Sequence, residues 1–234
     1  MEALPYPHSN YHGEYMKLRT LLNKENPIIV EVGSNNGGDA IRYLHYFPKC
    51  LLHTFECDKR ALTVFKNNVN NDRCQLYEYA VSDINGELTF NQIKIKNDSD
   101  KVPEKHNWMS KEDYDMYLGS ANSTTSSVKL RDNEELIKVN VPCITLDKWD
   151  DSQSIDMVDL LEIDVQGGER KVLLGASKFL NKVKFIKIEY GESRYDDSIS
   201  RDDTINYLKS FNFVVIESMS SKTKSGDLFF AKIN

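Results

Sequence analysis

The sequence predicts an α/β protein built on a mostly parallel, doubly wound sheet with an antiparallel last strand and one long insertion. Three observations carry that expectation. Apolar runs of strand length alternate with segments of helical spacing from residue 28 to residue 81. The run Glu31-Val32-Gly33-Ser34-Asn35-Asn36-Gly37-Gly38 carries the first strand into a helix through glycines. A later apolar run ends in Asp164 and again passes through glycines, Gly167 and Gly168, into a helix.

Taken in order, residues 15–23 read as a short helix with Tyr15, Leu18 and Leu22 on one side. Residues 1–26 form a helical lead that can act as a lid, and residues 27–234 form the main domain. Residues 28–32, 51–55 and 75–81 read as strands, and residues 38–47 and 59–70 as the helices between them. Right-handed crossovers then bring the strand ends to one shared edge. Asp83-Ile84-Asn85-Gly86 is a turn signal, and the alternating residues after it begin an antiparallel ribbon.

From residue 94 to residue 125 an insertion rich in Asn, Asp, Lys and Ser interrupts the pattern. Loops of that length act as lids or as disordered excursions. Trp108, Tyr114 and Tyr117 favour a lid, because disordered segments are poor in aromatics. Periodicity resumes at residues 126–130, 136–141 and 144–146. Residues 157–163 and 183–190 read as strands, and residues 169–180 and 202–211 as helices. Residues 213–217 and 228–233 suit a closing antiparallel pair, which brings the count of main strands near seven.

A net charge of −6 argues against a broad nucleic-acid footprint, so a nucleic-acid partner is not expected. No apolar run approaches the ~20 residues that span a bilayer, and the first residues lack the apolar core of a signal peptide. Cys50, Cys57, Cys74 and Cys143 show no C-x-x-C spacing, so neither a disulfide framework nor a zinc cluster is expected. A cytoplasmic location follows from these features.

The glycine turn lacks G-x-G-x-x-G and G-x-x-x-x-G-K-[ST], which excludes the usual dinucleotide and triphosphate cradles. An acidic turn with glycines suits S-adenosyl-L-methionine, which carries a sulfonium and an amino-acid end but no phosphate. Gly33 permits a sharp turn and lets a ligand touch backbone, with Glu31, Ser34 and Asn35 beside it. Gly37 and Gly38 allow close approach at a helix start, whose free N–H groups accept a negative group.

Glu56 closes the second strand about 20 residues after the turn, where an acid accepts hydrogen bonds from both ribose hydroxyls. Cys57 neighbours it, and Asp58 is expected to cap the next helix. Val81, Ser82 and Asp83 are the candidate adenine contacts, Asp83 accepting from the exocyclic amine or starting the turn into Gly86. Asp164 can hold the methionine amino group, orient an acceptor hydroxyl or cap the helix after it. Glu189, ending the next strand, falls beside it, so the two carboxylates can serve as base and orienter. They could also bind Mg²⁺, which is not the favoured reading. His12 and His106 are alternative bases.

With these motifs in view, the chain resembles the FkbM family of S-adenosylmethionine-dependent methyltransferases. EVGSNNGG is similar to the family's D/E-V-G-A-N-x-G, FECD to F-E-P, and AVSDINGELTF to A-V-x-D-x-x-G-x-x-x-F. CITLDKW is similar to V-x-T-L-D-x-L, and LLEIDVQGGERKVLLGA to L-L-K-I-D-V-E-G-x-E-x-x-V-L-x-G-A. The resemblance implies a Rossmann-like seven-strand methyltransferase fold and cofactor contacts at Gly33, Glu56 and Asp83. It also implies O-methylation of a hydroxyl on a sugar, glycan or other small molecule. Ser34, Cys57 and Gln166 stand where the pattern has Ala, Pro and Glu, and the loss of that Glu weakens a metal reading. Two rival readings are an RNA 2′-O-methyltransferase using Lys187 with Asp164 and Glu189, and a non-catalytic interaction module.

Overall fold

A computed structural model describes residues 12–95, 111–191, 195–218 and 225–233. The chain begins with α1 (His12–Leu22), then alternates β1 (Ile28–Val32), α2 (Gly38–Tyr46), β2 (Leu51–Phe55), α3 (Lys59–Asn68) and β3 (Cys74–Tyr77). A second group follows: β4 (Ala80–Val81), β5 (Gly86–Ile95), α4 (Lys111–Ser120), β6 (Glu134–Ile144) and α5 (Leu146–Asp150). The chain then returns through β7 (Val158–Ile163), α6 (Glu169–Leu174), β8 (Val183–Gly191), α7 (Arg201–Lys209), β9 (Phe213–Ser218) and β10 (Ser225–Lys232).

The main sheet has seven strands in the order β3-β2-β1-β7-β8-β10-β9. The first five run parallel, and β10 inserts antiparallel between β8 and β9. The winding direction reverses between β1 and β7, and open α/β sheets bind ligands in the crevice at such a point. Register makes that crevice specific. Phe55, Val32, Ile163 and Ile188 form one row across β2, β1, β7 and β8. The residue after each is therefore Glu56, Gly33, Asp164 and Glu189, four candidate site residues side by side, with Glu189 still within β8 and paired to Asp227.

Apolar residues fill both faces. Val30, Val32, Phe55 and Ile163 pack with Trp149, Val172 and Leu208, while Ile29, Leu52, Leu160 and Phe229 pack with Tyr15, Tyr43 and Phe65. All six residues of β7 are buried, as a central parallel strand requires. A smaller sheet, β4-β6-β5, rests beside the main one. Among the described residues no helix is long and apolar enough to cross a membrane.

Several elements differ from the sequence expectation. The strand expected over residues 75–81 divides: β3 stays in the main sheet, while Ala80 and Val81 leave it to pair with Cys143 and Ile144. Residues 144–146 do not continue as a strand, because Thr145 caps α5 by accepting from the Lys148 N–H. The helix expected over residues 169–180 stops at Leu174. At Gly175 a Cβ would lie 2.1 Å from the Ser82 carbonyl oxygen, and the chain resumes as a 3-10 turn over Phe179–Lys182. Residues 126–130 form no strand, only a bridge from Val128 to Tyr195. The expected loop over residues 94–122 contains α4.

Candidate functional site

Gly33 is where β1 meets β7. Its φ is +96°, and a Cβ there would lie 1.8 Å from the Asp164 carbonyl oxygen, so only glycine allows this contact. The Gly33 and Ser34 N–H groups both donate to the Phe55 carbonyl at 3.0 Å, which fixes the turn to the end of β2. The Asn35 N–H donates to Glu56 Oε2 at 2.8 Å. The Gly37 N–H donates to the Ser34 carbonyl, and the Gly38 N–H to Asn36 Oδ1.

These amides are thus engaged within the turn and present no open nest for an anion. The expected acceptance of a negative group at the start of α2 is not what Gly37 and Gly38 do here. Gly37 instead makes room for α3, since a Cβ would lie 2.6 Å from Val69 and 2.9 Å from Phe65. Such a turn fits a nucleoside ligand without phosphate.

Glu56 is held by three N–H groups: Cys57 and Asp58 at 2.7 Å on Oε1, and Asn35 on Oε2. A carboxylate has about four acceptor sites, so one remains for a ligand hydroxyl. Burial pushes Glu56 up to about 7, against the pull of those donors. Cys57 packs against the small sheet with Ala80 and Phe90, and burial raises its thiol well above the usual range. Asp58 caps α3 as expected, accepting from the Arg60 N–H and from its guanidinium. Val81 and Ser82 are buried at the end of β4, and the Ser82 hydroxyl donates to an exposed Asp83 at 3.1 Å.

Glu31 lies elsewhere. Its buried carboxylate accepts from the Thr54 hydroxyl at 2.8 Å, and burial and then Glu162 raise it well above the usual carboxylate range. Lys187 also points inward, with Nζ 2.7 Å from Glu14 and 2.9 Å from Glu162. Lys187 is thus already paired with two acids.

At the other side of the crevice, Gln166 ties the acidic pair together. Its Nε2 donates to Asp164 Oδ1 at 2.7 Å and to Glu189 Oε2 at 3.0 Å, while its Oε1 accepts from the Tyr195 hydroxyl at 3.1 Å. Burial, then Asp164, pushes Glu189 up to about 10. Asp227, opposite Glu189 on β10, is raised by burial as well. Glu169 is buried with Oε1 accepting from the Val165 and Gly167 N–H groups, and burial raises it to about 7.

Asp164, Glu169 and Glu189 bring carboxylate oxygens within 4.8 Å of one another. The Gln166 amide points its N–H groups at two of them, and backbone N–H groups hold the third. A donor set of that kind does not fit Mg²⁺, which needs lone pairs directed at the ion. His12 contacts Tyr46 on α2 through Nδ1 at 2.9 Å, and no described contact brings it to Asp164 or Glu189. His106 lies outside the described residues.

The insertion reaches the same crevice. Ser120, the last residue of α4, donates to Asn35 Oδ1 at 3.0 Å. Gly167 and Gly168 leave room for Tyr195 and Thr125, where Cβ atoms would lie 2.3 and 2.9 Å away. Gln166, Tyr195, Asp227 and Ser120 were not candidates from the sequence. Only the departure at Gln166 signalled one of them.

Residues 31–215 match the Methyltransferase FkbM domain. The chain belongs to the FkbM methyltransferase family. As a member it is an S-adenosylmethionine-dependent methyltransferase. The methyltransferase is 29% identical over 208 residues to the 2-O-methyltransferase NoeI of Sinorhizobium fredii, covering 86% of this chain and 78% of that protein. Two solved structures share the fold at a TM-score of 0.50. One is a proposed RNA methyltransferase from Pyrococcus horikoshii, 12% identical, covering 100% of this chain and 91% of that one. The other is a proposed rRNA methylase from Clostridium thermocellum, 11% identical, covering 95% of each chain.

Proposed function

We propose that this S-adenosylmethionine-dependent O-methyltransferase takes as acceptor a hydroxyl of a sugar, glycan or related small molecule. One observation carries the reading. Asp164 and Glu189, bridged by Gln166, follow the same register row as Gly33 and Glu56, which supports a proton acceptor close to a cofactor held at Gly33 and Glu56. The 2-O-methyltransferase relative supports oxygen as the methylated atom.

When bound, S-adenosylmethionine supplies an electrophilic methyl group on its sulfonium. In this reading Glu56 accepts from one ribose hydroxyl through its remaining acceptor site. Gly33, Ser34 and Asn35 form the wall along the cofactor, and Val81, Ser82 and Asp83 receive the adenine. Asp164, exposed at the crevice, accepts the proton of the acceptor hydroxyl. The crevice carboxylates and the net charge of −6 disfavour a polyanionic acceptor. Four free thiols agree with a reaction in the reducing cytoplasm.

The test offers purified protein and S-adenosylmethionine a panel of sugars, glycosides and short RNAs, read by mass spectrometry. A methyl group is expected on a sugar hydroxyl. Asp164→Asn should abolish transfer while calorimetry still finds cofactor binding. Methylation of RNA alone would overturn the acceptor class.

A further inference from the structure

Asp164 and Glu189 share one amide donor and bring carboxylate oxygens within 4.8 Å of each other, so negative charge on one opposes negative charge on the other. Their surroundings are unequal. Asp164 is exposed, whereas Glu189 is faced by Asp164 on β7, Glu169 on α6 and Asp227 on β10. Lys187, on β8 itself, is paired with Glu14 and Glu162. Among the described residues, the carboxylates around Glu189 therefore repel charge there and favour it on Asp164.

The Gln166 amide is held in one orientation. The Tyr195 hydroxyl lies 3.1 Å from Gln166 Oε1 and 3.3 Å from the Asn122 carbonyl, its single hydrogen serving one of them at a time, while Asp164 Oδ1 and Glu189 Oε2 accept from Gln166 Nε2 at 2.7 and 3.0 Å. Oε1 thus faces Tyr195, and both Nε2 hydrogens face the acids. The Gln166 backbone sits at φ +53°, a left-handed conformation that a Gln adopts only when its surroundings hold it. The adjacent Gly167 has a φ of +94° and lies against the Tyr195 ring, which completes the lock.

We propose that Gln166, held by Tyr195, is a positioning residue that orients the Asp164 carboxylate and favours negative charge on it, while the acids around Glu189 favour the proton there. The inference rests on the reading above, in which Asp164 is the proton acceptor. As the acceptor O–H bond breaks, its proton passes to Asp164. The oxygen keeps the electron pair for the new bond to carbon, and the carbon–sulfur pair leaves with sulfur.

The experiment follows the Asp164 and Glu189 carboxyl carbons by NMR across pH in the full chain, for wild type, Gln166→Met, Gln166→Glu and Tyr195→Phe. Calorimetric S-adenosylmethionine affinity within about twofold of wild type identifies the folded variants. The Asp164 midpoint should rise by about one pH unit in Gln166→Met, more in Gln166→Glu, and less in Tyr195→Phe. An unmoved midpoint in Gln166→Met and Gln166→Glu overturns the proposal. The acid limb of kcat/KM should move with the midpoint. If the midpoint moves and that limb does not, Gln166 positions the pair as proposed, and it is the role of Asp164 as proton acceptor that fails.

Discussion

Gly33 and Gly86 separate two reasons for glycine. Both have positive φ, but a Cβ at Gly33 meets the Asp164 carbonyl at 1.8 Å, whereas at Gly86 nothing lies within 4 Å. Gly86→Ala should therefore cost only backbone strain, about 1 kcal/mol. Gly33→Ala must part β1 from β7 and should cost roughly 3 kcal/mol or more, as shifts of denaturation midpoints would show. The need for a glycine at 33 was legible in the sequence, because a strand followed by Val-Gly needs a reason to turn. The identity of the atom it touches was not, since Asp164 is distant in sequence. Glu56 was legible for the same local reason, whereas Asp227 and Tyr195 reach the crevice only through pairing with distant segments.

At the level of elements, the β-α-β-α-β order followed from periodicity, and the misplaced boundaries have physical causes. The division of β3 from β4 is invisible to alternation, because both pieces keep strand spacing while they pair in different sheets. Thr145 reads as a strand residue until its hydroxyl is seen to accept from Lys148. Asp58 shows how an ordinary cap can carry more. It caps α3 while buried, and it pairs with Arg60, whose guanidinium also reaches the Ile93 carbonyl and the Ser123 hydroxyl. Asp58→Ala strands that guanidinium and should cost about 3 kcal/mol or more. Ser200→Ala, at the exposed cap of α7, should cost about 1 kcal/mol. Urea denaturation of the two variants checks the contrast.

Across the whole molecule, buried acids set the pH dependence of stability. Burial raises Glu162 and Glu169 to about 7, from an ordinary value of 4.5. Their contribution is complete below the ordinary value and is lost as pH climbs through about 7, because the native state holds protons that the unfolded chain has released. Asp39 and Asp159 behave oppositely. Burial works against them, yet Arg42 and Lys187 hold Asp39 below its ordinary 3.8, and Lys24 and Lys184 do so for Asp159. Their contribution is lost as pH falls through the acid range. Stability should thus peak between these limits, with a higher Tm near pH ~5.5 than near pH ~8 by calorimetry, and Glu169→Gln should flatten the difference.

The Phe55 carbonyl, shared by two amides of the glycine turn, has a wider implication. The turn from Gly33 to Asn35 is fixed to the end of β2 by hydrogen bonds to Phe55 and Glu56. In the proposed function, acceptor chemistry belongs to a separate stretch of chain, around Asp164, Gln166 and Glu189. On that proposal, side-chain substitutions at Gln166 or Glu189 change how an acceptor is received while the Gly33–Asn35 hydrogen bonds to Phe55 and Glu56 stay in place.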